Sequence, residues 1–303
     1  MSDNGGATVH TPVTHRGEQA VQRRVGEGGP RHGSPMFGPR IPPGHGEFLA
    51  GCRTVVLGSV DGTGAVWATL LTGERGFARP LDETSLAVAA LPAQGDPLRQ
   101  ALEETRPGGL LVLDPERARR VRFNGPVRRE GEGLLMRTEQ VLRNCAKYIQ
   151  QREPLPDGPA QVPARSMSGT WLTAEQRRWI ARCDTFFVAS HSPGHGADAS
   201  HRGGRPGFVT VDGERHLSWP DYRGNSFYMT FGNLELDARC GLLFVDWESG
   251  HTLQVTGECH VDWQDRSAPG ARRTVHFTVH RVTETQHATR LRWRLAAYSS
   301  SNP

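Results

Sequence analysis

The sequence predicts a mainly β protein with a minor helical part, arranged as two tandem barrels of short antiparallel strands. Three observations support this fold class: a domain-sized internal repeat, a succession of short apolar runs divided by Gly, Pro and Asp, and a length of 303 residues. At roughly 150 residues per domain, a chain of this length holds about two domains. Short strands at this spacing favour a small closed or split barrel in each domain.

The internal repeat is visible in two pairs of segments. FLAGCRTVVLGS contains Cys52 and WIARCDTFFVAS contains Cys183, which is 131 residues further on (183 − 52). Farther along, LLVLD at 110–114 matches LLFVD at 242–246 with an offset of 132 residues (242 − 110). Landmarks that stay in step over such a distance indicate a duplicated domain rather than a short solenoid repeat.

The domain organisation follows from this repeat and from changes in composition. Residues 1–46 are rich in Gly, Pro and His and are predicted to be a flexible N-terminal arm, apart from a short helix around Glu18–Val25. The first barrel is predicted over 47–152, a Pro-rich linker over 153–170 and the second barrel over 171–298.

The first copy contains strands in the order RTVVLGSV, GAVWATLLT, SLAVAAL, GGLLVLD and RRVRFNGPV. Each is a short β-branched or apolar run bounded by turn residues, which is typical of strands. Helical patterns occur only at Asp96–Glu104 and at Thr138–Arg152, and the second of these is predicted to join the barrels.

The second copy repeats the pattern. TAEQRRWIAR is predicted to be a helix with Thr173 as its N-cap, and Ser226–Glu235 a second, short helix. The predicted strands are DTFFVAS, GFVTV, HLSWP, GLLFVDW, TLQVTGECHVDW, RRTVHFTVHRVTET and RLRWRLAAY. The two copies are therefore expected to share one architecture.

Composition narrows the class of function. No apolar run approaches the ~20 residues that cross a bilayer, and the first residues lack the apolar core of a signal peptide. The five Cys include no CxxC pair, which suits a reducing compartment, so the protein is expected to be cytoplasmic. The net charge of +4 comes from dispersed Arg, which favours a small anionic ligand over nucleic acid.

Three segments of the second copy carry a family resemblance. They are ASHRGGRPGFVTVDGERHLSWPDYRGN at 199–225, FGNLELDARCGLLFVDW at 231–247 and TLQVTGECHV at 252–261. In order and spacing they resemble the pyridoxamine 5′-phosphate oxidase-like family of FMN-binding split barrels. GEQAVQRR near the start of the chain and NCAKYIQ at the end of the first copy are similar to stretches of its long, two-barrel subgroup. The first copy has the same skeleton but lacks the Tyr-Arg-Gly-Asn turn. The resemblance covers roughly 45–295.

The resemblance implies both an arrangement and a function. In that family FMN lies in the groove between two barrels, so the two copies would form an internal pseudo-dimer of split barrels. The second copy would bind the phosphate, and the first copy would mostly form the wall of the groove. The implied function is an FMN-dependent oxidoreductase that transfers a hydride or electrons to an unknown small substrate. The chain would act as a monomeric pseudo-dimer or as a homodimer, without nucleic acid or membrane.

The residues of these segments suit FMN chemically. A phosphate requires guanidinium groups and small donors, and the flavin ring requires polar donors and close backbone approach. Thr252 and Gln254 are two residues apart on one strand and so share a face. The predicted cofactor-binding residues are Ser200, Arg202, Arg205, Gly207, Phe208, Trp219, Tyr222, Arg223, Asn225, Ser226, Asn233, Thr252 and Gln254.

Within this set, Arg205 and Arg223 are predicted to hold the phosphate, because they flank a hairpin whose two ends meet. Lys147 and Tyr148 either lie over the pocket or belong to an amphipathic helix that joins the barrels. No catalytic side chain is assigned, since the cofactor would carry the chemistry.

Other interpretations of the same residues stay open. Without the resemblance, the Gly- and Arg-rich stretch SHRGGRPGF is predicted to be a hairpin loop with solvated charges. His191, His195 and His201 have neither zinc-finger nor HExxH spacing, so no metal site is expected. The alternative function is a non-catalytic or vestigial barrel that binds flavin, haem or another ligand without turnover.

Overall fold

The computed structural model describes residues 14–27, 38–143, 146–159, 162–224 and 226–303. The first half contains two helices before its sheet and one within it. Its elements are α1 Arg16–Val25, α2 His45–Gly51, β1 Thr54–Val60, β2 Val66–Thr72, β3 Ala78–Pro80, β4 Ser85–Val88, α3 Leu98–Ala101, β5 Arg106–Asp114, β6 Arg119–Glu130, β7 Gly133–Arg137, β8 Gln140–Arg143 and β9 Gln151–Leu155.

The second half repeats the main strands and adds a longer helix to its sheet. Its elements are β10 Arg165–Gly169, α4 Ala174–Arg182, β11 Thr185–Ser192, β12 Gly196–Gly203, β13 Thr210–Asp212, β14 His216–Asp221, α5 Met229–Leu236, β15 Arg239–Asp246, β16 His251–Asp262, β17 Arg273–Gln286 and β18 Arg292–Ala297. Among the residues that the structure describes, no helix is long and apolar enough to cross a membrane.

The two sheets have the same strand order. The first runs β2-β1-β5-β6-β7-β4-β3 and the second β12-β11-β15-β16-β17-β14-β13, each with one further strand that makes eight. All of the pairings are antiparallel, and a separate pair, β9 with β18, connects the two halves. The prediction of two tandem split barrels is confirmed.

The duplication holds at the level of single residue pairs. Ser59 lies opposite Trp67 in the first sheet, and Ser190 lies opposite Asp198 in the second. Each residue of the second pair is 131 positions beyond its counterpart (190 − 59 and 198 − 67). Between β5–β6 and β15–β16 the offset is 132, as the sequence predicts. Structural equivalence can therefore be assigned residue by residue.

Each barrel has its own apolar core, and a third apolar cluster lies between the barrels. That cluster joins β1, β2 and β5 to β11, β12 and β15, and it includes Val56, Leu111, Phe187 and Leu243. A Cβ on Gly109 would lie 2.4 Å from the Cα of Asp198, and one on Gly241 would lie 2.6 Å from the carbonyl oxygen of Val66. Because these glycines are equivalent, the barrels approach each other in a pseudo-symmetric way.

The predicted helix over 138–152 is wrong. Within the described residues this region holds β8 and β9, with Tyr148 at a φ of +66° between them. Val141 and Leu142 are buried, and β8 completes hydrogen bonds along β6 that a helix would leave unmade. Tertiary pairing therefore overrides the local helical pattern.

The other helices follow the sequence more closely. α4 begins after Thr173, whose side chain accepts from the backbone of Gln176 in a capping box, as predicted. The segment predicted as Asp96–Glu104 forms only the short α3, because β5 begins at Arg106. α5 begins three residues later than expected, after the left-handed Tyr228.

Residues 14–27 of the N-terminal arm are packed on the second barrel, whereas Ile41 of the same arm lies in the first core. α1 confirms the short predicted helix, and its Val21 is fully buried in the second core. Gly17 and Gly232 let α1 and α5 touch, since a Cβ on Gly17 would lie 2.0 Å from the carbonyl oxygen of Gly232. The flexible arm over 1–46 and the domain boundaries stay predictions.

Candidate functional site

A cleft that is open to solvent lies where the second barrel meets β6 of the first. Its wall comes from β12, the end of β14, the start of α5, the start of β17 and the segment after β8. The basic residues that line it are Arg120, Arg122, Lys147, Arg202, Arg223, Arg272 and Arg273, against the acidic Glu27 and Asp221. The lining therefore carries a strong excess of positive charge.

Arg122 crosses from the first barrel to the second at the base of this cleft. Its guanidinium donates to Asp198 Oδ2 at 2.8 Å and to Ser200 Oγ at 3.0 Å. Asp198 and Ser200 share a face of β12 because they are two residues apart. Burial lowers the pKa of Arg122, and the carboxylate of Asp198 opposes that shift. This ion pair fixes one barrel against the other.

A buried polar network continues from Asp198 to the N-terminal helix. Thr230 Oγ1 donates to Asp198 Oδ2 at 3.0 Å, and Ser190 donates to the other carboxylate oxygen. Asn233 Nδ2 donates to Ser190 Oγ at 2.9 Å, and its Oδ1 lies 3.2 Å from His15 Nε2. The cleft base is thereby connected to the residue that caps α1.

The network ends at a buried carboxyl group. Glu18 Oε2 accepts from the backbone nitrogen of His15 at 3.0 Å and completes the capping box of α1. Burial is the main cause that raises the pKa of Glu18 to about 7, and the negative charge of Asp198 adds to it. Ionisation of this group is thus disfavoured in the folded protein.

A second ion pair shapes the far wall of the cleft. Arg273 Nε lies 3.1 Å from Asp221 Oδ2, and burial is the main cause that raises the pKa of Asp221. The Arg273 guanidinium also lies within 5.3 Å of the ring centres of Tyr228 and Phe231. This Arg is consequently packed into the wall as a support.

The mouth of the cleft is partly covered by the segment after β8. Tyr148 donates its hydroxyl to the carbonyl oxygen of Arg223 at 3.2 Å, and its ring lies 5.2 Å from that of Tyr222. Gln150 anchors the segment by accepting from the backbone nitrogen of Ser299 at 2.8 Å. Lys147 and Tyr148 both line the cleft, and no helix runs through them.

Backbone strain is concentrated around the cleft. Tyr148, Ser226 and Tyr228 all have positive φ values, of +66°, +61° and +59°, and all three line it. A non-Gly residue held in this region costs about 1–3 kcal/mol, and such residues cluster at functional sites. The geometry therefore marks this cleft independently of its charge.

The structure brings together eight of the sequence-predicted residues. Those that line the cleft are Ser200, Arg202, Phe208, Tyr222, Arg223, Ser226, Lys147 and Tyr148. Asn225 lies outside the described residues.

Four other predicted residues lie away from the cleft lining. Trp219 packs in the second core against Phe186, and Asn233 lies behind the wall on Ser190. Arg205 and Gly207 are in the exposed turn after β12, and the Arg205 guanidinium lies 5.2 Å from the ring centre of Tyr298. Arg223 lines the cleft and Arg205 does not, so the predicted pairing of the two around one phosphate is not supported by a shared lining.

Thr252 and Gln254 belong to the opposite side of the barrel interface. The 132-residue offset makes them equivalent to Arg120 and Arg122, which do line the cleft (252 − 120 and 254 − 122). In a pseudo-dimer, the same strand of each copy faces the other copy's site. The sequence analysis missed Arg120 and Arg122 because it assigned the whole predicted site to the second copy. The 132-residue offset from Thr252 and Gln254 could have identified them.

The position equivalent to the cleft in the first barrel is filled. Gln254 Nε2 donates to the carbonyl oxygen of Ala68 and to Asp96 Oδ2, both at 2.9 Å, and Thr69 also donates to Asp96. Burial is the main cause that raises the pKa of Asp96 to about 6. β10 closes the edge, where Ser166 Oγ donates to the carbonyl oxygen of Gln94 at 3.0 Å.

The cleft is chemically suited to a ligand that carries a phosphate or another anionic group. Burial and three nearby Arg side chains, Arg120, Arg152 and Arg202, lower the pKa of His201 well below its usual value, so its imidazole is neutral. Among the described residues, no three His, Cys, Asp or Glu side chains are grouped so that they could hold a metal ion. The lining thus offers binding groups more clearly than acid–base catalysts.

Comparisons with known proteins give solved structures only, since no family profile and no curated protein match the sequence. A candidate pyridoxamine 5′-phosphate oxidase from Lactobacillus delbrueckii is 17% identical with a TM-score of 0.31, and the alignment covers 37% of this chain and 93% of that one. An FMN-binding protein from Syntrophomonas wolfei is 11% identical with a TM-score of 0.29, over 36% and 84% of the two chains.

A third similar structure is an FAD-binding protein from Mesorhizobium loti. It is 11% identical with a TM-score of 0.28, and the alignment covers 41% of this chain and 97% of that one. At these scores and identities, likeness does not carry a ligand or an activity over to this chain.

Proposed function

We propose that the cleft binds FMN and that the protein is an FMN-dependent oxidoreductase acting on a small molecule. The observation that carries this proposal is the set of seven basic side chains, drawn from both barrels, that line one open cleft. A flavin phosphate is a dianion, and guanidinium groups bind such anions with charge-assisted hydrogen bonds. The resemblance noted in the sequence points to the same cofactor.

The residues proposed for the phosphate are Arg202, Arg223 and Arg272, three of the basic residues that line the cleft. Arg202 lies on β12, and Arg223 and Arg272 are exposed at the mouth, where a charged group can enter. Arg122 and Arg273 are paired with Asp198 and Asp221, so they support the wall. Arg205 is no longer part of the proposed phosphate site, because it lies outside the cleft lining.

The chain would contribute binding, orientation and exclusion of water. When bound, FMN would supply hydride or electron transfer through its ring. Phe208, Tyr222 and Tyr148 give the cleft aromatic surface that suits a flat ring. The two copies together form the cleft, so a single chain would suffice for a site that single-barrel proteins would build from two chains. A cytoplasmic location remains part of this proposal.

The test is a titration of the purified protein with FMN, followed by flavin fluorescence. Arg202→Ala and Arg223→Ala are expected to weaken FMN binding by roughly tenfold to a hundredfold, since a charge-assisted contact contributes about 1.5–3 kcal/mol. Arg205→Ala is the matched control, because Arg205 lies three residues from Arg202 but outside the cleft.

Riboflavin, which lacks the phosphate, should show a smaller difference between these variants. Binding of FMN that is unchanged in both cleft variants would place the phosphate elsewhere. A parent protein that binds no flavin would exclude the proposed function.

A further inference from the structure

The N-terminal arm places a carboxylate at the mouth of the cleft. Glu27 lies just beyond α1, two residues after Val25, and its side chain is part of the cleft lining. It follows Gly26, whose φ of +70° ends the helix. Glu27 therefore projects from the end of a packed helix into the site.

Two hydroxyl groups hold this carboxylate. Ser226 Oγ donates to Glu27 Oε2 at 2.6 Å, and the Tyr228 hydroxyl donates to the same oxygen at 2.8 Å. Both donors belong to the strained segment between β14 and α5, and both line the cleft. Hydroxyl donors of this kind also bind phosphate and carboxylate oxygens of ligands.

Two guanidinium groups act on the same carboxylate. The hydrogen bond from Ser226 is the main cause that lowers the pKa of Glu27, and the positive charges of Arg223 and Arg272 add to it. Glu27 is thus ionised at neutral pH. Arg223 and Arg272 are also two of the cations proposed above for the ligand phosphate.

The surroundings of Glu27 thus match what an anionic ligand group requires: two hydroxyl donors and two guanidinium groups at an open cleft. We propose that Glu27 is a built-in anionic occupant of this subsite, and that the phosphate or carboxylate group of a ligand must displace it to bind. The arm would act as an autoinhibitory contact. The proposal shares its cleft with the proposed function, and it requires an anionic ligand group but not FMN itself.

The arm can release Glu27 without unfolding. α1 is held by buried Val21 and by the ion pair of Arg24 with Glu235, whose two contacts measure 2.7 and 2.8 Å. Both anchors lie within α1, and the backbone nitrogen of Glu27 donates to the carbonyl oxygen of Gln22 at 2.9 Å. A change of the Glu27 side-chain rotamer therefore breaks its two side-chain hydrogen bonds and leaves the helix and its end in place.

The test compares Glu27→Gln with Glu132→Gln. The first removes the charge at the cleft but keeps an amide oxygen that can accept from Ser226 and Tyr228. The second removes one negative charge from an exposed side chain of the first barrel that lies outside the cleft lining. The overall charge of the protein is then the same in both variants, so a general electrostatic effect cancels.

Two probes are titrated: inorganic pyrophosphate, followed by the shift in melting temperature, and FMN, followed by fluorescence. Glu27→Gln is expected to bind each about five- to tenfold more tightly than the parent, because a like charge close to an anion costs about 1 kcal/mol or more. Glu132→Gln should bind both like the parent, and riboflavin should bind alike to all three proteins.

Several outcomes would overturn the proposal. Equal or weaker binding of pyrophosphate to Glu27→Gln would show that Glu27 does not compete, and equal strengthening in both variants would show a general charge effect. Tighter pyrophosphate binding in Glu27→Gln without any flavin binding would support Glu27 as an occupant of the subsite and would exclude FMN as the ligand. Failure of the inference and failure of the proposed function are thus distinguishable.

Discussion

Arg122 and Gln254 occupy equivalent positions on β6 and β16, 132 residues apart (254 − 122), and each reaches across the interface into the other barrel. Arg122 contacts Asp198 and Ser200 at the base of the open cleft, whereas Gln254 contacts Ala68 and Asp96 where the equivalent space is filled. The difference between Arg122 and Gln254 thus accompanies an open cleft on the second barrel and a filled space at the equivalent place on the first. The two copies have diverged, so the interface between the barrels is asymmetric.

The Arg122–Asp198 pair is expected to be critical for joining the barrels. Arg122→Ala would leave the carboxylate of Asp198, which is 1% exposed, without its cation. Removing one partner of a buried pair costs about 3–5 kcal/mol. Urea unfolding should show a loss of this size, and Arg128→Ala, which removes an exposed partner of the exposed Glu130, should show almost none. A loss below about 1 kcal/mol for Arg122→Ala would contradict this role.

If flavin binds, the filled space on the first barrel predicts a stoichiometry of one flavin per chain. Thr69 and Gln254 both donate to Asp96 where the second site would lie, and Ser166 of β10 covers the edge. Equilibrium dialysis with FMN, read against protein concentration, measures the ratio. A ratio near two would mean that the Asp96 cluster opens, and Gln254→Ala should then alter the weaker of the two sites.

Glu18 predicts a dependence of stability on pH. The pKa is raised from 4.5 to about 7 on folding, so the folded state binds this proton more tightly than the unfolded state does. Stability should therefore fall as the pH rises from about 4.5 to about 7. Glu18→Gln imitates the protonated form and keeps an oxygen for the capping box.

The variant should match the parent near pH 4.5 and exceed it above pH 7 by up to about 3 kcal/mol, since each pKa unit corresponds to about 1.4 kcal/mol. Denaturant unfolding across this range measures the difference. Asp96 titrates in an overlapping range, but it is present in both proteins and cancels in the comparison. Parallel stability curves with a constant offset would contradict the assignment.

The sequence by itself determined the architecture. The 131- and 132-residue offsets predicted two equivalent barrels, and Ser59 and Ser190 indeed occupy the same register position in the two sheets. Strands, the cap at Thr173 and the short helix α1 were also predictable, because apolar periodicity and caps are local signals. Ser200, Arg202 and Arg223 were selected from the family resemblance and from the chemistry of their side chains, and β12, which carries the first two, was not among the predicted strands.

Only the tertiary structure decided which copy faces which site. Thr252 and Gln254 share a face with each other, but nothing within their own strand shows that this face meets the first barrel. The same pairing of barrels brings Arg120 and Arg122 into the cleft, and the packing of α1 on α5 brings Glu27 to its mouth. These contacts join residues that are far apart in the chain, so they depend on how whole elements dock. Local periodicity in the sequence does not indicate that docking.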